Sequence, residues 1–493
     1  MGIVKRQASK STLTSLVGVG VSLISTLFII PLVPKEVFGL VSTVIAIAAL
    51  VLPLTLLGLN STVLRYSEKY NTIAEKDAFF KRLYGVHTLI SLVVSSGFYL
   101  VSETILTRYY ADQPAVHNQG IYIALVVFFM GQFTMLSSYA NARFRLNVIR
   151  ILELMFQKVG TPALLLAFVL GWIPGEAVIP VLVVLYIIRA AGLFGFWKKT
   201  VTPTPLKEPL IVNKQEVASY GIFALVAVFL HSAVMEIDTV MVGSMISLKE
   251  AGIYKYAFYI AMIVDLPRVN LAQLLFPLIS KYQMEGDYKK VDEVYKRSSN
   301  LLFVLGSFLL VVIWPNLDSF FNFIPNGESF AHAKYVIILI ALAKVFNMVM
   351  GVNFEIISTS KKYWVILGIN FISLLVVYFS NKWLIPIHGV TGAAMATLSV
   401  WIIYNACAYF FLKIKFNLSP FSLNTAKIFG LMVVFIGLLL LVPDMFSYPL
   451  INMIFKGILA LPFLVLCFKG NFSADFNDIT IKIFARLGVK LKS

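Results

Sequence analysis

Apolar runs of about 20 residues, the length needed to cross a hydrocarbon core, recur from one end of the chain to the other. They predict spanning helices over 12–33, 37–59, 84–106, 119–141, 151–171, 177–197, 217–245, 251–280, 298–316, 332–354, 362–381, 389–412, 425–442 and 449–468. The predicted fold class is an all-α polytopic membrane protein with about 14 transmembrane helices, read here as two pseudo-symmetric six-helix lobes plus two C-terminal helices. Pro53, Pro162, Pro267 and Pro277 fall inside runs, where each removes a backbone hydrogen bond and favours a kink.

The chain echoes itself. Leu32-Val33-Pro34-Lys35-Glu36-Val37-Phe38-Gly39 returns as Ile246-Ser247-Leu248-Lys249-Glu250-Ala251-Gly252-Ile253. Lys69-Tyr70 and Phe80-Lys81-Arg82 return as Lys281-Tyr282 and Tyr295-Lys296-Arg297. Residue 217 therefore reads as a second beginning. The expected organisation is an N-terminal lobe over 1–200, a linker over 201–216 carrying Pro203, Pro205 and Pro209, and a C-terminal lobe over 217–416. Helices 13 and 14 follow over 417–470, then a tail over 471–493. Six helices per lobe give both lobes one orientation, related by an axis along the membrane normal. The tail spaces Ile479, Ile483, Phe484, Leu487 and Leu491 among Lys482, Arg486, Lys490 and Lys492, the pattern of a basic amphipathic helix on a membrane surface.

Charge orients the spans. With a cytoplasmic N-terminus, the basic residues of the inner segments, from Arg65 and Lys69 through Lys413 and Lys427, outnumber by more than four to one those of the outer loops. The latter are Lys35, Arg108, Lys249, Lys334 and Lys382. This bias places both termini inside. It also accounts for the net charge of +17, spread over short loops rather than gathered into a nucleic-acid patch. Lys5, Arg6 and Lys10 precede a run too long for a signal peptide and lacking a cleavage site, so the first helix is expected to be retained.

Composition narrows the class further. The 493 residues are 59% hydrophobic and 13% charged, against about 25% charged in soluble domains. No phosphate-binding Gly-x-x-x-x-Gly-Lys-Ser/Thr run and no His-Glu-x-x-His or Cys-pair signature appears, so no cofactor or metal is expected and an enzyme is disfavoured. Cys407 and Cys467 both lie in apolar runs as packing residues.

The informative residues are the ionisable ones inside the runs, because such groups face a protein interior or a water-filled cavity. Arg189, Arg268, Lys158 and Lys344 form a candidate basic lining for a phosphate-bearing head group; the arginine fork can donate two hydrogen bonds to one anion. Interhelical pairing or snorkelling is the competing reading. Glu236, Asp238 and Asp265 are candidates for a coupling proton or Na⁺, or for ion pairs. Asp265 and Arg268, three apart, share a helix face and can pair. Glu236 and Asp238, two apart, cannot both face one cavity.

Three stretches carry a family likeness: Lys249-Glu250-Ala251-Gly252-Ile253-Tyr254, then Phe276-Pro277-Leu278-Ile279-Ser280, then Pro386-Ile387-His388-Gly389-Val390-Thr391-Gly392-Ala393-Ala394-Met395-Ala396-Thr397. In their order and spacing the chain resembles the Wzx-type oligosaccharide flippases of the multidrug/oligosaccharidyl-lipid/polysaccharide superfamily. The resemblance implies movement of a polyprenyl-pyrophosphate-linked oligosaccharide from the inner to the outer leaflet of a bacterial inner membrane, by alternating access, for cell-surface polysaccharide biosynthesis. It implies as partners the lipid-linked substrate, membrane lipid, H⁺ or Na⁺ as coupling ion, and polymerase and export machinery. Two alternatives are a cation-coupled multidrug or small-molecule antiporter and a lipid-linked peptidoglycan precursor flippase. Many of the drug exporters carry an acid in helix 1, whereas Thr12 to Val33 holds no ionisable group.

Overall fold

A computed structural model describes residues 17–70, 72–143, 145–201 and 214–486. The expected linker over 201–216 lies mostly outside the described residues, as do the first residues of helix 1 and Leu487, Lys490, Leu491 and Lys492 of the tail. Every regular element among the described residues is helical. That is what a bilayer demands of a spanning chain, since a helix satisfies its own backbone hydrogen bonds.

Twelve helices among the described residues are long and apolar enough to cross a membrane, which makes this a multi-pass membrane protein. A shorter apolar helix, α1 (Val17–Leu32), precedes them. The spans are α2 (Lys35–Leu56), α3 (Ile73–Tyr109), α4 (Gly120–Ala142), α5 (Leu146–Val169), α6 (Gly175–Thr200) and α7 (Gln215–Met245). They continue with α8 (Leu248–Met284), α9 (Tyr288–Phe323), α10 (Gly327–Val349), α11 (Val365–Phe416), α12 (Leu423–Leu440) and α13 (Pro449–Lys469). A final helix, α14 (Ala474–Arg486), lies in the tail.

The fourteen expected spans and these twelve differ at two places. The first predicted span is the short α1. The predicted pair 362–381 and 389–412 appears as one 52-residue run, α11, with non-helical torsions at Gly389 (φ 58°, ψ −138°). At 1.5 Å per residue that run would measure about 78 Å, far more than a core of about 30 Å. Its arms, 365–388 and 390–416, each match one crossing in length. In α3 the helix starts eleven residues before the predicted 84. Thr72 and Glu75 form a capping box there, at 3.2 and 3.0 Å, which supports a helix whose first turns are too charged to register as apolar.

Prolines explain the irregular turns. The segment Glu153–Gly160 is wound as a π-helix immediately before Pro162, whose ring cannot sit against the carbonyl four residues back. Met262–Asp265 tightens to a 3₁₀ turn before Pro267, and the Leu266 amide donates to the Ile263 carbonyl. Asp265 therefore stands at the junction of two helix geometries.

By its contacts the chain divides into two compact units, Met1–Lys255 and Tyr256–Ser493. The first is centred on Leu56, Val63, Phe80, Leu136, Tyr139 and Trp197. At its edge the buried Asp77 accepts from Tyr139 Oη at 3.0 Å and from Arg143 Nη2 at 3.2 Å. The second is centred on Ile279, Val291, Tyr295, Ile356, Ile369 and Leu412. Its helices α12 and α13 leave Phe429, Val433, Leu438, Ile454, Ile458 and Val465 exposed, an apolar surface suited to lipid.

Candidate functional site

In the second unit four ionisable groups from three elements come together. Asp265 and Arg268 lie on α8, Lys344 on α10, and Glu355 on the short helix Asn353–Thr359. Arg268 donates from Nε to Asp265 Oδ1 at 2.8 Å and from Nη2 to Oδ2 at 3.3 Å, a bidentate pair. Lys344 Nζ stands 4.0 Å from the same Oδ2. Its ammonium also lies 4.2 Å from the centroid of the Trp401 ring on α11, a cation–π contact. Lys344 is 1% exposed, so its charge relies on these neighbours rather than on water.

Glu355 completes the charge balance, two cations against two acids. It is buried, and its Oε2 has no hydrogen-bond partner among the described residues. Tyr404 lies within electrostatic range of both Glu355 and Arg268. Beneath them the Asn353 amide donates to Asn405 Oδ1, and the Asn405 amide to the Trp401 carbonyl, both at 2.8 Å. The first of these ties α11, one turn past the tryptophan, to the short helix that carries Glu355. Chemically, the arrangement is a carboxylate held by one guanidinium fork with an ammonium alongside. A phosphate offers the fork the same pair of oxygens.

The first unit holds the other named residues, in separate places. Arg189 on α6 lies with its guanidinium 3.7 Å above the Phe133 ring of α4 and 3.9 Å from Glu153 Oε1. Its Nε has no hydrogen-bond partner among the described residues. It borders a hollow of about 10 Å³ lined by Phe156, Gln157, Thr161, Leu185 and Tyr186, room for about one water. Lys158 lies against α1 instead: a Cβ on Gly18 would be 3.0 Å from Lys158 Nζ. Glu236 accepts from Lys255 at 2.8 Å, and Asp238 from Tyr254 Oη at 2.8 Å. The two acids thus point to adjacent residues of α8 and away from each other, as a spacing of two dictates.

Asp265, Arg268 and Lys344 of the sequence-selected set are therefore brought together, whereas Arg189, Lys158, Glu236 and Asp238 each have other surroundings. Trp401, Asn353, Asn405 and Phe133 were not selected from sequence. A tryptophan or asparagine in an apolar run carries no charge signal, and the contact of Trp401 with Lys344 depends on how α10 and α11 pack.

Helices long enough to span a membrane, with buried and partly paired charge between them, define the class as a multi-pass helical membrane protein, and among the solved structures that share its fold are transporters and flippases. Solved structures with this fold include one described as "Lipid II flippase MurJ, inward closed conformation", with a TM-score of 0.72, 14% identity, and coverage of 93% of this chain and 99% of that one. An inward-facing multidrug resistance MATE family transporter of the MOP superfamily gives 0.59, 9%, and 83% and 95%. A point mutant of the Vibrio cholerae MATE transporter VcmN gives 0.55, 12%, and 84% and 98%. Among curated proteins no sequence relative matches. The polysaccharide biosynthesis protein family matches residues 7–283 and the MatE family residues 224–384. The chain belongs to the polysaccharide biosynthesis protein family, within the multidrug/oligosaccharidyl-lipid/polysaccharide superfamily of transporters.

Proposed function

We propose that this protein flips polyprenyl-pyrophosphate-linked oligosaccharide units from the inner to the outer leaflet of a bacterial inner membrane. The family match supports a role in polysaccharide biosynthesis. The observation that carries the reading is the seat of Asp265 on the Arg268 fork with Lys344 alongside. An arriving pyrophosphate exchanges with the Asp265 carboxylate and meets two cations already desolvated by the fold. The sugar stays in the aqueous path while the lipid tail stays in the bilayer. Cation entry balances the charge, with H⁺ or Na⁺ taken up by the acids of the same cluster. Both termini are cytoplasmic in this reading, on the loop-charge asymmetry.

The test is reconstitution in vesicles with a fluorescent oligosaccharide on a polyprenyl pyrophosphate, with and without a proton or sodium gradient. The double variant Asp265→Asn/Arg268→Gln removes the fork and its counter-charge together. It should insert normally and lose at least about tenfold in flipping rate, the scale of a charge-assisted hydrogen bond. Full activity in that variant would overturn the assignment. Equal transport of a lipid-linked peptidoglycan precursor would redirect the substrate class, and transport of cationic dyes alone would favour the antiporter.

A further inference from the structure

Away from that cluster, α8, α9 and α14 enclose an open groove with a volume of about 520 Å³, within the range of small-molecule sites. Its two walls differ. Leu271, Leu275 and Leu278 of α8 and Leu301 of α9 form an apolar floor inside the membrane spans. Charged residues ring the end where α8 and α9 turn at Glu285-Gly286-Asp287 and α14 crosses: Lys290, Glu293, Arg297, Asp475, Asp478 and Lys482.

Most of this rim is already neutralised. Arg297 is paired with Asp475 and with Glu293 at 3.5 Å, and Lys290 with Asp287 at 2.7 Å. The side chains of Asp478 and Lys482 make no hydrogen bond or ion pair among the described residues. They stand four apart on α14, so they share one face with Cβ atoms about 5–6 Å apart. Ile479 between them also lines the groove, and Ile479, Ile483 and Phe484 are exposed on the same amphipathic helix. A helix of that kind lies at the boundary of water and acyl chains.

We propose that this groove binds one membrane phospholipid with a zwitterionic, primary-amine head group of the phosphoethanolamine type. One acyl chain runs along Leu271, Leu275 and Leu278. The phosphate faces Lys482 and the ammonium donates to Asp478. The membrane source follows from the floor, which lies on span residues. The zwitterion follows from the rim, where three cations and three acids line the groove and the unpaired remainder is one of each sign. An anionic lipid would find no net positive charge there, and a quaternary amine could not donate a hydrogen bond to Asp478.

The experiment is native mass spectrometry of the delipidated full chain in detergent, titrated in turn with phosphatidylethanolamine, phosphatidylglycerol and phosphatidylcholine of identical acyl chains. The wild type should retain one phosphatidylethanolamine about tenfold more tightly than either other lipid. Asp478→Lys, on an exposed helix face, should invert the preference toward phosphatidylglycerol. Leu275→Trp should fill the groove and abolish the tight site for all three, with the thermal unfolding midpoint checked in parallel. Equal retention of the three lipids by the wild type, or an unchanged preference in Asp478→Lys, would overturn the proposal. It stands or falls independently of the transported substrate.

Discussion

Gly39 and Gly252 meet backbone to backbone. A Cβ on Gly252 would lie 3.0 Å from the Gly39 nitrogen and 2.4 Å from the Lys35 carbonyl oxygen, and a Cβ on Gly39 would lie 1.7 Å from the Leu248 carbonyl oxygen. Each glycine comes from one copy of the echoed motif that opens α2 and α8. The repeat therefore builds a contact between its own copies, and only residues without side chains permit it. The contact joins the first turns of two helices, at the ends that the proposed topology puts at the outer face.

Gly39→Ala should force this junction apart, because the clash is with backbone atoms that no rotamer change can relieve. The Cβ-to-oxygen distance must grow from 1.7 Å to at least the 3.4 Å of ordinary contact. Spin labels at Lys35 and Lys249 should report a longer and broader separation in the variant. An unchanged distance distribution would mean that the two segments do not rest against each other in the membrane.

The two deep arginines should respond differently to truncation. Arg268→Ala takes both hydrogen bonds from the buried Asp265 and leaves it only the Lys344 ammonium at 4.0 Å; removing one partner of a buried pair costs roughly 3–5 kcal/mol, so the folded yield should drop. Asp265→Asn/Arg268→Gln should recover part of that yield, since Lys344 keeps Trp401 but loses its acid, without restoring flipping. Arg189→Ala leaves Glu153, whose side chain is 42% exposed, able to turn to water. Its main loss is the stacking on Phe133, roughly 1–2 kcal/mol. Chemical denaturation in detergent would separate these cases, and similar losses in both single variants would contradict the pairing. Arg268→Lys should keep the charge but not the fork, and so recover stability better than transport.

The spans were legible because hydrocarbon selects for long apolar runs, and the Asp265–Arg268 pair because a spacing of three is a local property of one helix. The convergence of Lys344, Glu355 and Trp401 on that pair was not, since which faces of α8, α10 and α11 meet is set by packing. The repeat signalled two related halves but gave no hint that Gly39 and Gly252 touch. Nor did Glu236 announce its partner: Lys255 lies nineteen residues on, in the next helix, and is buried and hydrogen-bonded to it only because α7 and α8 pack together. The capped start of α3 escaped because hydropathy senses only the part of a helix that lies in lipid.

Gly389 separates the arms of α11, and its torsions are nearly closed to residues with a Cβ. No atom lies within 4 Å of the place a Cβ would occupy, so a substitution there meets no steric neighbour and reports on the backbone alone. Gly389→Ala should destabilise the protein by about 1–3 kcal/mol, or straighten the junction if the arms yield. Gly368→Ala, a helical glycine of the first arm with equally open surroundings, is the control and should be neutral or mildly stabilising. Equal effects at both positions would show that the break is not needed.

Asp444, in the turn between α12 and α13, offers a test by pH. Burial tends to raise its pKa. Hydrogen bonds from Lys456 at 2.7 Å and from Ser319 at 2.8 Å outweigh that and hold the carboxyl below its ordinary value. A group whose pKa is depressed on folding contributes stability above its unfolded pKa, about 3.9 for Asp, and loses it as the pH falls through the folded value. The thermal midpoint of the wild type should therefore fall between about pH 5 and pH 3 by more than that of Asp444→Asn, which has no such proton to take up. Lys456→Met should remove most of the difference, because it deletes the cation that depresses the pKa. Parallel midpoint curves for the wild type and Asp444→Asn across that interval would show that the pair does not couple to folding.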